Sequence, residues 1–502
     1  MTYETVTKNL AKHYDANQLK AFARAYEFSA KAHEGQTRKS GDPYITHALA
    51  VADYLGNHLR MDMNTVIAGL LHDIPEDTSK TLVDIRKNFG NQVEFLVSGI
   101  TKLGKIKLRD QHDEVYIETL MKMFLAMAAD IRVVLIKLAD RLHNLMTLQH
   151  LPKEKQERIA RESLEVYAPI ADRLGMGELK GQLEDLAFPF VYPKDYERLM
   201  GLIKDRYEEM KSYVERVKDI IGKDLKTAGI RIEDINGRTK HLYSLYQKLL
   251  RPKYDWDISK IYDLVALRIV VKNLEDCYAS LGALHAKYLP LPGRIKDYIA
   301  FSKPNGYRSI HTTVFGPEKK VLEIQIKTRE MHREAEYGIA AHWAYAEKGK
   351  PKEGFKVSHK KLEWVNQLRD WHKESGSSGS EFIESLKIDF FKNRIFVFTP
   401  KGAVKDLPEG ATSLDFAFFV HSDLGLRATG AKINGKMAKL ADELKNGDVV
   451  EILTAKEARV SRDWLRFVKT SNARGKIRSY LNKHQKGWLS GLLPDSLRFI
   501  KK

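Results

Sequence analysis

The first 150 residues carry apolar side chains at helical spacing and few runs of β-branched residues, a pattern that predicts a domain made of helices. Within it, residues 66–71 form an apolar run that predicts a buried helix. We expect this helix to end near Ile74, because the residue before a proline, here Pro75, avoids helical backbone angles. Helical spacing continues beyond this region, and residues 201–229 predict a long charged helix.

After residue 229 the apolar positions alternate along short segments, which predicts β-strands. These segments lie at residues 230–232, 262–272, 311–315 and 321–327. In the last of them, Glu323, Gln325 and Lys327 share one face of the strand, and aliphatic residues share the other. Because helical segments separate the strands, this region predicts a mixed α/β domain.

The last third of the chain begins with a polar stretch whose residues 375–380 are all glycine or serine, which predicts a flexible linker. A small β-rich unit follows, with outer strands predicted at 394–399 and 448–454, and then a basic helical tail. The predicted segments are a helical domain at 1–150, a helical link at 151–200, an α/β domain at 201–345, a linker at 346–387, a β-rich domain at 388–454 and a helical region at 455–502.

Composition narrows the class of protein. A chain of 502 residues is long enough for roughly three domains, and its one cysteine, Cys277, excludes a disulfide framework. The N-terminal residues do not form a signal peptide and no apolar run approaches the ~20 residues that span a bilayer, so we expect a cytoplasmic protein without a membrane partner. The net charge of +18 favours anionic partners such as nucleotides or RNA, although a basic solubility bias has the same signature.

Candidate metal chemistry lies at the end of the predicted helix at 66–71. His72 and Asp73 stand side by side there, and imidazole with carboxylate is a ligand set for a divalent transition metal. An isolated His-Asp pair is more often a satisfied surface pair. His47 in an upstream helix, and Asp140 in an apolar helix where a buried carboxylate needs a partner, favour the metal hypothesis.

A second group of candidate residues begins at a basic segment. Lys240, Ser244 and Lys248 recur every four residues, so on one helix they share a face that suits a triphosphate, although a solvated face is the commoner explanation of such a stripe. Asp263 opens one predicted strand and Glu323 lies within another. Two such acids can hold Mg²⁺, although single strand acids are usually salt-bridge partners.

Residues 294–311 strengthen the nucleotide hypothesis. They hold four cations and an Asn-Gly turn that presents Tyr307. An aromatic ring beside cations is a platform on which a nucleobase stacks, with stacking worth ~1–3 kcal/mol per base. A tyrosine buried in a hairpin core is the structural alternative.

The motifs resemble those of a known family. The order His47, His72-Asp73, Asp140 resembles the HD phosphohydrolase superfamily, and the flanking residues 35–45 and 76–78 narrow the resemblance to the hydrolase domain of long RelA/SpoT homologues. Further segments resemble the alarmone synthetase domain (294–311, 323–328 and 335–343) and the TGS domain (398–402, 407–412, 415–421 and 446–448) of that family. Departures from the family pattern are Ala48 for proline, Arg308 for glutamine and Lys327 for arginine.

The resemblance implies a multidomain fold: an all-α HD-type hydrolase domain, an α/β synthetase domain with a mixed nucleotidyltransferase-like sheet, and a small β-grasp TGS domain. In the first domain it implies Mn²⁺ and hydrolysis of the 3′ pyrophosphate of (p)ppGpp. The implied Mn²⁺ ligands are His47, His72, Asp73 and Asp140. Glu76 and Asp77 would handle protons and water, and the implied nucleotide contacts are Arg38, Lys39, Ser40 and Asn144.

In the second domain the resemblance implies transfer of pyrophosphate from ATP to the 3′ hydroxyl of GDP or GTP. Asp263 and Glu323 would hold Mg²⁺, with Glu323 also the base at the acceptor hydroxyl, and Tyr307 would stack on guanine. The other implied nucleotide contacts are Arg238, Lys240, Ser244, Lys248, Arg294, Lys296, Lys303, Asn305, His311 and Gln325. The basic motif at 294–297 goes with bifunctional members of the family.

The TGS resemblance implies that His421 contacts uncharged tRNA on the ribosome, whereas a β-grasp spacer is the structural alternative. No DNA partner is expected. Two other functions stay open at the level of sequence. One is a hydrolase whose synthetase domain serves only as a nucleotide sensor. The other is a ribosome- or tRNA-binding regulator whose catalysis is incidental.

Overall fold

The computed structural model describes residues 1–104, 123, 126, 129–303, 305–341 and 394–491. The chain forms two compact units, Met1–Ser375 and Gly376–Lys502, and each is described by itself. The predicted linker at 346–387 and the last part of the predicted tail lie outside the described residues. The predicted fold class, a helical domain, an α/β domain and a small β-rich domain, is confirmed.

Helices make up the described part of the first 150 residues. They are α1 (Tyr3–Leu10), α2 (Ala16–Ala32), α3 (Ile45–Asp53), α4 (Met63–Leu71), α5 (Ile74–Asp77), α6 (Leu82–Gly104) and α7 (Ile131–Met146). The predicted end of the buried helix near Ile74 is wrong, because α4 ends at Leu71 and Ile74 begins the next helix. Pro75 lies in the first turn of α5, where a proline is tolerated, so the chain turns at His72 and Asp73 instead.

Four further helices connect this domain to the sheet: α8 (Lys153–Glu162), α9 (Ala168–Arg173), α10 (Gly177–Val191) and α11 (Pro193–Thr227). The charged helix predicted at 201–229 begins earlier, at Pro193, whose fixed φ suits a first helical turn. It is a single helix of 35 residues, so the predicted link and the predicted α/β domain share one continuous element.

Five strands form a mixed sheet in the order β1-β2-β5-β4-β3, with β2 and β5 parallel and the other pairs antiparallel. They are β1 (Ile232–Thr239), β2 (Val265–Val271), β3 (Lys296–Asp297), β4 (Ile310–Phe315) and β5 (Val321–Thr328). The strand predicted at 230–232 is displaced, because Ile230 packs into the core ahead of β1. Helices α12 (Leu242–Leu249), α13 (Leu274–Lys287) and α14 (Arg329–Tyr337) complete the described part of this domain.

One face of the sheet carries the hydrophobic core. The aliphatic residues of β5, Leu322, Ile324 and Ile326, are fully buried there, as their alternation predicts. Helices α11 and α13 cover this face through residues such as Val217 and Leu284. The polar residues of β5 therefore lie on the opposite face of the sheet, where they can form a functional site.

The turn between α9 and α10 touches the sheet domain backbone to backbone. The Ile339 N–H donates to the Leu174 carbonyl over 2.9 Å, and Asn305 Nδ2 donates to Asp172 Oδ1 over 3.3 Å. A Cβ atom at Gly338 would lie 2.3 Å from the Leu174 oxygen, so only glycine allows this approach.

The second unit combines two small sheets, one of β6 and β7 and one in the order β10-β8-β9. Its elements are β6 (Arg394–Phe398), β7 (Val404–Pro408), α15 (Ser413–Val420), α16 (Ser422–Leu426), β8 (Ala428–Ile433), β9 (Lys436–Ala438), β10 (Val450–Thr454), α17 (Trp464–Phe467) and α18 (Ser471–Gly491). A parallel bridge between Phe398 and Val449 joins the first and last strand regions. Residues after β10, including Trp464, Val468 and Ile477, pack into one cluster with Leu414 and Phe418 of α15.

A buried carboxylate fastens this later segment to α15. Asp415 is fully buried. One of its oxygens, Oδ2, accepts from the Thr412 N–H and hydroxyl at 2.9 and 2.8 Å, and Oδ1 accepts from the Thr470 N–H and hydroxyl, both at 2.8 Å. The charge is therefore satisfied only when both segments are in place, since a buried carboxylate needs its partners.

We predict that Asp415→Asn destabilises the second unit by on the order of 3 kcal/mol, because an amide turns a donor toward groups that donate. Amide hydrogen exchange of the full chain, read on peptides covering 411–421 and 465–475, measures the loss. Asp423→Asn is the control, because Asp423 is exposed on α16. Unchanged protection in Asp415→Asn would contradict the argument.

Candidate functional site

The first site collects its residues from two helices and one turn. His47 lies on α3, His72 and Asp73 lie at the α4–α5 turn, and Asp140 lies on α7. The His47 and His72 Nε2 atoms are 3.4 Å apart, and His72 Nε2 lies 3.1 Å from Asp73 Oδ1. Asp140 Oδ1 lies 3.3 Å from His47 Nε2 and 3.7 Å from His72 Nε2.

This donor set fits a divalent metal ion. Among the described residues, His47, His72 and Asp73 offer ligand atoms that all lie within 4.8 Å of one another. His72 Nδ1 lies 2.8 Å from the Gly69 carbonyl, and a bond donated there directs Nε2 toward the cluster. Two buried imidazoles and two carboxylates are ligands typical of a transition metal.

Asp140 is held by its own helix. Lys137 Nζ donates to Asp140 Oδ2 over 2.7 Å, and Asn144 Nδ2 donates to Oδ1 over 2.6 Å. Burial raises the pKa of Asp140, but Lys137 and the two histidines outweigh it and hold the pKa well below its usual range. The carboxylate is therefore charged and oriented before any ligand arrives.

Arg38 reaches the same helix from the turn before α3. It donates to Asn144 Oδ1 over 2.6 Å and to His143 Nδ1 over 2.9 Å. Burial, together with His47 and Arg38, lowers the pKa of His143 to about 3, so this imidazole is neutral and accepts the bond. His143 was not predicted as a site residue. Arg38 and Asn144 thus meet beside Asp140, and their predicted contact with the nucleotide stays a prediction.

Two other predicted nucleotide contacts, Lys39 and Ser40, are not brought to Asp140. Lys39 is exposed, and Ser40 donates to Asp42 over 2.7 Å within the turn. Their predicted role stays a prediction.

The predicted acids of α5 have different surroundings. The Tyr44 hydroxyl lies 2.6 Å from Asp73 Oδ2 and 2.7 Å from Asp77 Oδ2, so this unpredicted tyrosine joins Asp77 to the cluster. Glu76 is exposed, and its carboxylate makes no hydrogen bond or ion pair with another described residue. Burial raises its pKa, although Lys137 opposes the shift, so Glu76 holds a proton more readily than an ordinary glutamate.

The second site lies on the polar face of the sheet. Lys240 and Lys248 both donate to Asp263, over 2.7 Å each. Burial raises the pKa of Asp263, but the two lysines lower it to about 2. The prediction of one helix through Lys240, Ser244 and Lys248 is wrong, because β1 runs to Thr239 and α12 begins only at Leu242. The cations still converge, since a strand end and a helix meet at one carboxylate. Asp263 itself lies just before β2, not within it.

Glu323 contacts two residues, His311 and Gln325, that the sequence analysis predicts to bind nucleotide. His311 Nδ1 lies 3.3 Å from its Oε1, and Gln325 Nε2 donates to the same oxygen over 3.1 Å. Burial raises the pKa of Glu323 and Asp263 adds to this, yet His311 outweighs both and the net pKa is lowered. His311 Nε2 lies 2.8 Å from the Tyr307 hydroxyl, so the ring and the acid are linked through one imidazole.

Cations crowd the space around Tyr307. Lys303 and Lys327 lie 5.0 and 4.8 Å from the centre of its ring. Burial and neighbouring cations lower the pKa of Lys303 to about 8 and that of Lys327 to about 7. Arg268, which was not predicted, is among those neighbours and is itself buried. Lysines whose pKa is lowered by neighbouring cations indicate a site for an anionic ligand.

The remaining predicted contacts surround this centre. Arg238 donates to Gln325 over 3.4 Å, and Asn305 donates to Asp172 at the end of α9. The Arg294 guanidinium lies 5.8 Å from the centre of the Tyr262 ring. Lys296 pairs with His311 across β3 and β4 and is exposed, and Ser244 is half-buried in the first turn of α12. In the second unit, His421 is exposed at the N-terminus of α16.

Comparison with known proteins agrees with these sites. Three family models match the chain: an HD domain at residues 25–177, a region found in RelA/SpoT proteins at 237–350, and a TGS domain at 395–454. None of the helices in the described ranges is both long and apolar enough to cross a bilayer.

Curated relatives match along nearly the whole chain. A GTP pyrophosphokinase of Streptomyces coelicolor is 48% identical over 94% of this chain and 57% of its own length. The bifunctional (p)ppGpp synthase/hydrolase RelA of Mycobacterium tuberculosis is 46% identical over 94% of this chain and 64% of its own. The corresponding SpoT protein of Escherichia coli is 43% identical over 95% of this chain and 67% of its own.

The matches define a class of protein that carries an HD domain and a RelA/SpoT domain in one chain. The chain belongs to the RelA/SpoT family. It spans about three fifths of the length of the curated relatives that it matches.

We predict that a divalent transition metal raises the thermal unfolding temperature of the parent chain by several degrees, since a ligand at 100 times its Kd stabilises by about 2.7 kcal/mol. Asp73→Asn should lose this rise, because an amide is a poorer ligand than a carboxylate. Differential scanning calorimetry with and without Co²⁺ measures it. Asp205→Asn, at an exposed aspartate of α11, serves as the control. Equal rises in both variants would exclude the cluster as the metal site.

Proposed function

We propose that this chain both makes and breaks (p)ppGpp. One site transfers pyrophosphate from ATP to the 3′ hydroxyl of GDP or GTP, and the other hydrolyses the 3′ pyrophosphate of (p)ppGpp. The observation that carries the proposal is the presence in one chain of two charged sites, a His-His-Asp-Asp cluster and a group of cations beside Tyr307 and Glu323. The names of the bifunctional relatives support the same assignment.

For hydrolysis, His47, His72, Asp73 and Asp140 would hold Mn²⁺. When bound, such an ion supplies an acidified water and polarises a phosphoryl oxygen. Arg38 and Asn144 bind the nucleotide beside Asp140, and Lys39 and Ser40 bind it from the solvent side. Glu76, with its raised pKa, holds a proton for the leaving oxygen, while Tyr44 fixes Asp77 for positioning water.

For synthesis, Asp263 and Glu323 would hold Mg²⁺, which neutralises phosphate charge when bound. Lys240 and Lys248, now paired with Asp263, turn to the ATP phosphates, which Arg238, Lys296 and Lys303 also contact. Ser244 and Arg294 border the same phosphates.

The acceptor lies against Tyr307, which stacks on guanine beside Asn305. Glu323 takes the proton from the 3′ hydroxyl as its oxygen attacks the β-phosphorus of ATP and AMP leaves. Its lowered pKa keeps it ionised at neutral pH for this role. His311 and Gln325 hold its oxygen in place.

For the second unit, we propose contact with uncharged tRNA on the ribosome through His421. The support is its exposed position at a helix N-terminus within a TGS domain. Nucleic acid phosphates bind at such positions when basic residues are near.

We predict that each of two variants loses one activity and keeps the other. Asp73→Asn should lose Mn²⁺-dependent ppGpp hydrolysis by about 100-fold or more and keep synthesis, because a metal ligand is removed. Glu323→Gln should lose synthesis by about 100-fold or more and keep hydrolysis, because the base is removed. Chromatography of products from ATP plus GDP, and separately from ppGpp with Mn²⁺, measures both reactions.

Each variant is the control for the other. A parent chain that hydrolyses ppGpp but makes none would instead support a hydrolase whose second site only senses nucleotides. Absence of both reactions in the parent would favour a regulator without catalysis. Parent-level hydrolysis by Asp73→Asn, or parent-level synthesis by Glu323→Gln, would exclude the corresponding assignment.

We predict that His421→Glu weakens the stimulation of synthesis by ribosomes carrying uncharged tRNA, because it sets a negative charge against RNA phosphate. The basal rate without ribosomes should stay the same. The measurement is the ratio of the two rates, with Glu409→Gln, a change at another exposed position of this unit, as control. An unchanged ratio in His421→Glu would favour the spacer role.

A further inference from the structure

Helix α12, which carries Ser244 and Lys248, is capped from another helix. Its own N-cap residue, His241, makes no side-chain capping bond. Instead, the Tyr243 N–H donates over 3.0 Å to Oδ1 of Asp185, which lies on α10. An unsatisfied N–H in the first turn of a helix needs such an acceptor, so α10 completes the start of α12.

The same carboxylate holds the residue between the two lysines of the second site. Asp185 Oδ2 lies 2.8 Å from His241 Nδ1, and Glu178 Oε2 lies 3.6 Å from His241 Nε2. Burial lowers the pKa of His241, but its bonds to Asp185 and Glu178 outweigh this and raise the pKa to about 9. The imidazole is therefore charged at neutral pH and donates to Asp185.

The ring of His241 also packs directly against the backbone of Gly181. A Cβ atom added at Gly181 of α10 would lie 2.2 Å from ring atoms of His241. The position of the ring thus depends on a glycine one turn before Asp185. His241 is therefore held both by its contacts with the carboxylates of Asp185 and Glu178 and by the close approach of its ring to Gly181.

The segment that these contacts fix, residues 240–243, includes one of the two lysines that bond Asp263. Lys240 precedes His241, and its carbonyl accepts from the Tyr207 hydroxyl of α11 over 2.5 Å. Its amine, like that of Lys248, bonds Asp263. A cavity of about 570 Å³ borders the segment, with Arg238, Lys240, His241 and Asp185 among its lining residues.

We propose that Asp185 is a positioning residue for pyrophosphate transfer: through His241 and the Tyr243 N–H it sets where Lys240 and Lys248 meet the ATP phosphates. This inference rests on the proposed function of the second site. Asp185 touches no substrate in this arrangement and acts through the segment that it holds. Because α10 also packs against α7, the helix of Asp140, the positioning group belongs to a helix that borders the first site as well.

The test compares the full chain with Asp185→Asn. The KM for ATP should rise about tenfold, because the charge-assisted bond that holds His241 is weakened. The KM for GDP and the rate of ppGpp hydrolysis should stay within twofold of the parent. A role in stability alone would lower all of these activities together. Glu178→Gln, which removes the longer and more exposed contact, should raise the KM for ATP less than threefold.

Gly181→Ala provides a second variant that keeps every charge. Alanine favours the helix over glycine by about 1 kcal/mol, so α10 is not weakened, yet the methyl group displaces His241. The KM for ATP should again rise about tenfold. Gly201→Ala in α11 is the matched control, because a Cβ there meets nothing within 4 Å, and its KM should match the parent.

Titration calorimetry with a non-hydrolysable ATP analogue separates this inference from the proposed function, because it needs no turnover. Weaker binding to Asp185→Asn and Gly181→Ala than to the parent and Gly201→Ala supports the positioning role. Equal binding and equal KM values in all four proteins overturn it, even where synthesis proceeds. A parent chain that binds no analogue overturns the proposed function together with this inference.

Discussion

A buried charge must be paired, and this constraint shapes both sites of the chain. Asp140 is bonded by Lys137 and Asn144, and Asp263 is bonded by Lys240 and Lys248, before any metal or nucleotide is present. The acids are therefore ionised and oriented in advance. The two sites differ in what binding must do. In the proposed reactions, Lys137 stays bonded to Asp140, whereas Lys240 and Lys248 move from the Asp263 carboxylate to phosphate.

The helical link gives the two sites a common framework within the first unit. Its α9–α10 turn meets Gly338 and Asn305 on the side of the proposed acceptor, and α10 meets His241 on the side of ATP. Helix α10 also packs against α7, which carries Asp140. Closely packed interfaces of this kind do not deform gradually, so a shift of the link would reach both proposed substrate positions at once.

Sequence alone identified the HD, RelA/SpoT and TGS domains, because their motifs are short and recognisable, while the roles that it assigns to individual site residues stay predictions. It missed Tyr44, His143 and Arg268, whose importance depends on what lies opposite them in space. It also placed Lys240 on a helix, because four-residue spacing cannot reveal that a strand ends between Lys240 and Ser244. Asp185 gave no signal at all, since its partners lie more than fifty residues away.

The buried Asp415 has a consequence for how such proteins exchange parts during evolution. The TGS family model ends at residue 454, yet the bonds of Asp415 reach Thr470, and Trp464 and Ile477 complete the core around α15. A recombination event that joined a foreign segment at residue 454 would divide a single hydrophobic cluster and leave a carboxylate without its donors. Viable gene fusions at this end of the chain are therefore expected to have junctions beyond the first turns of α18. The unit of inheritance is then longer than the region that the TGS family model matches.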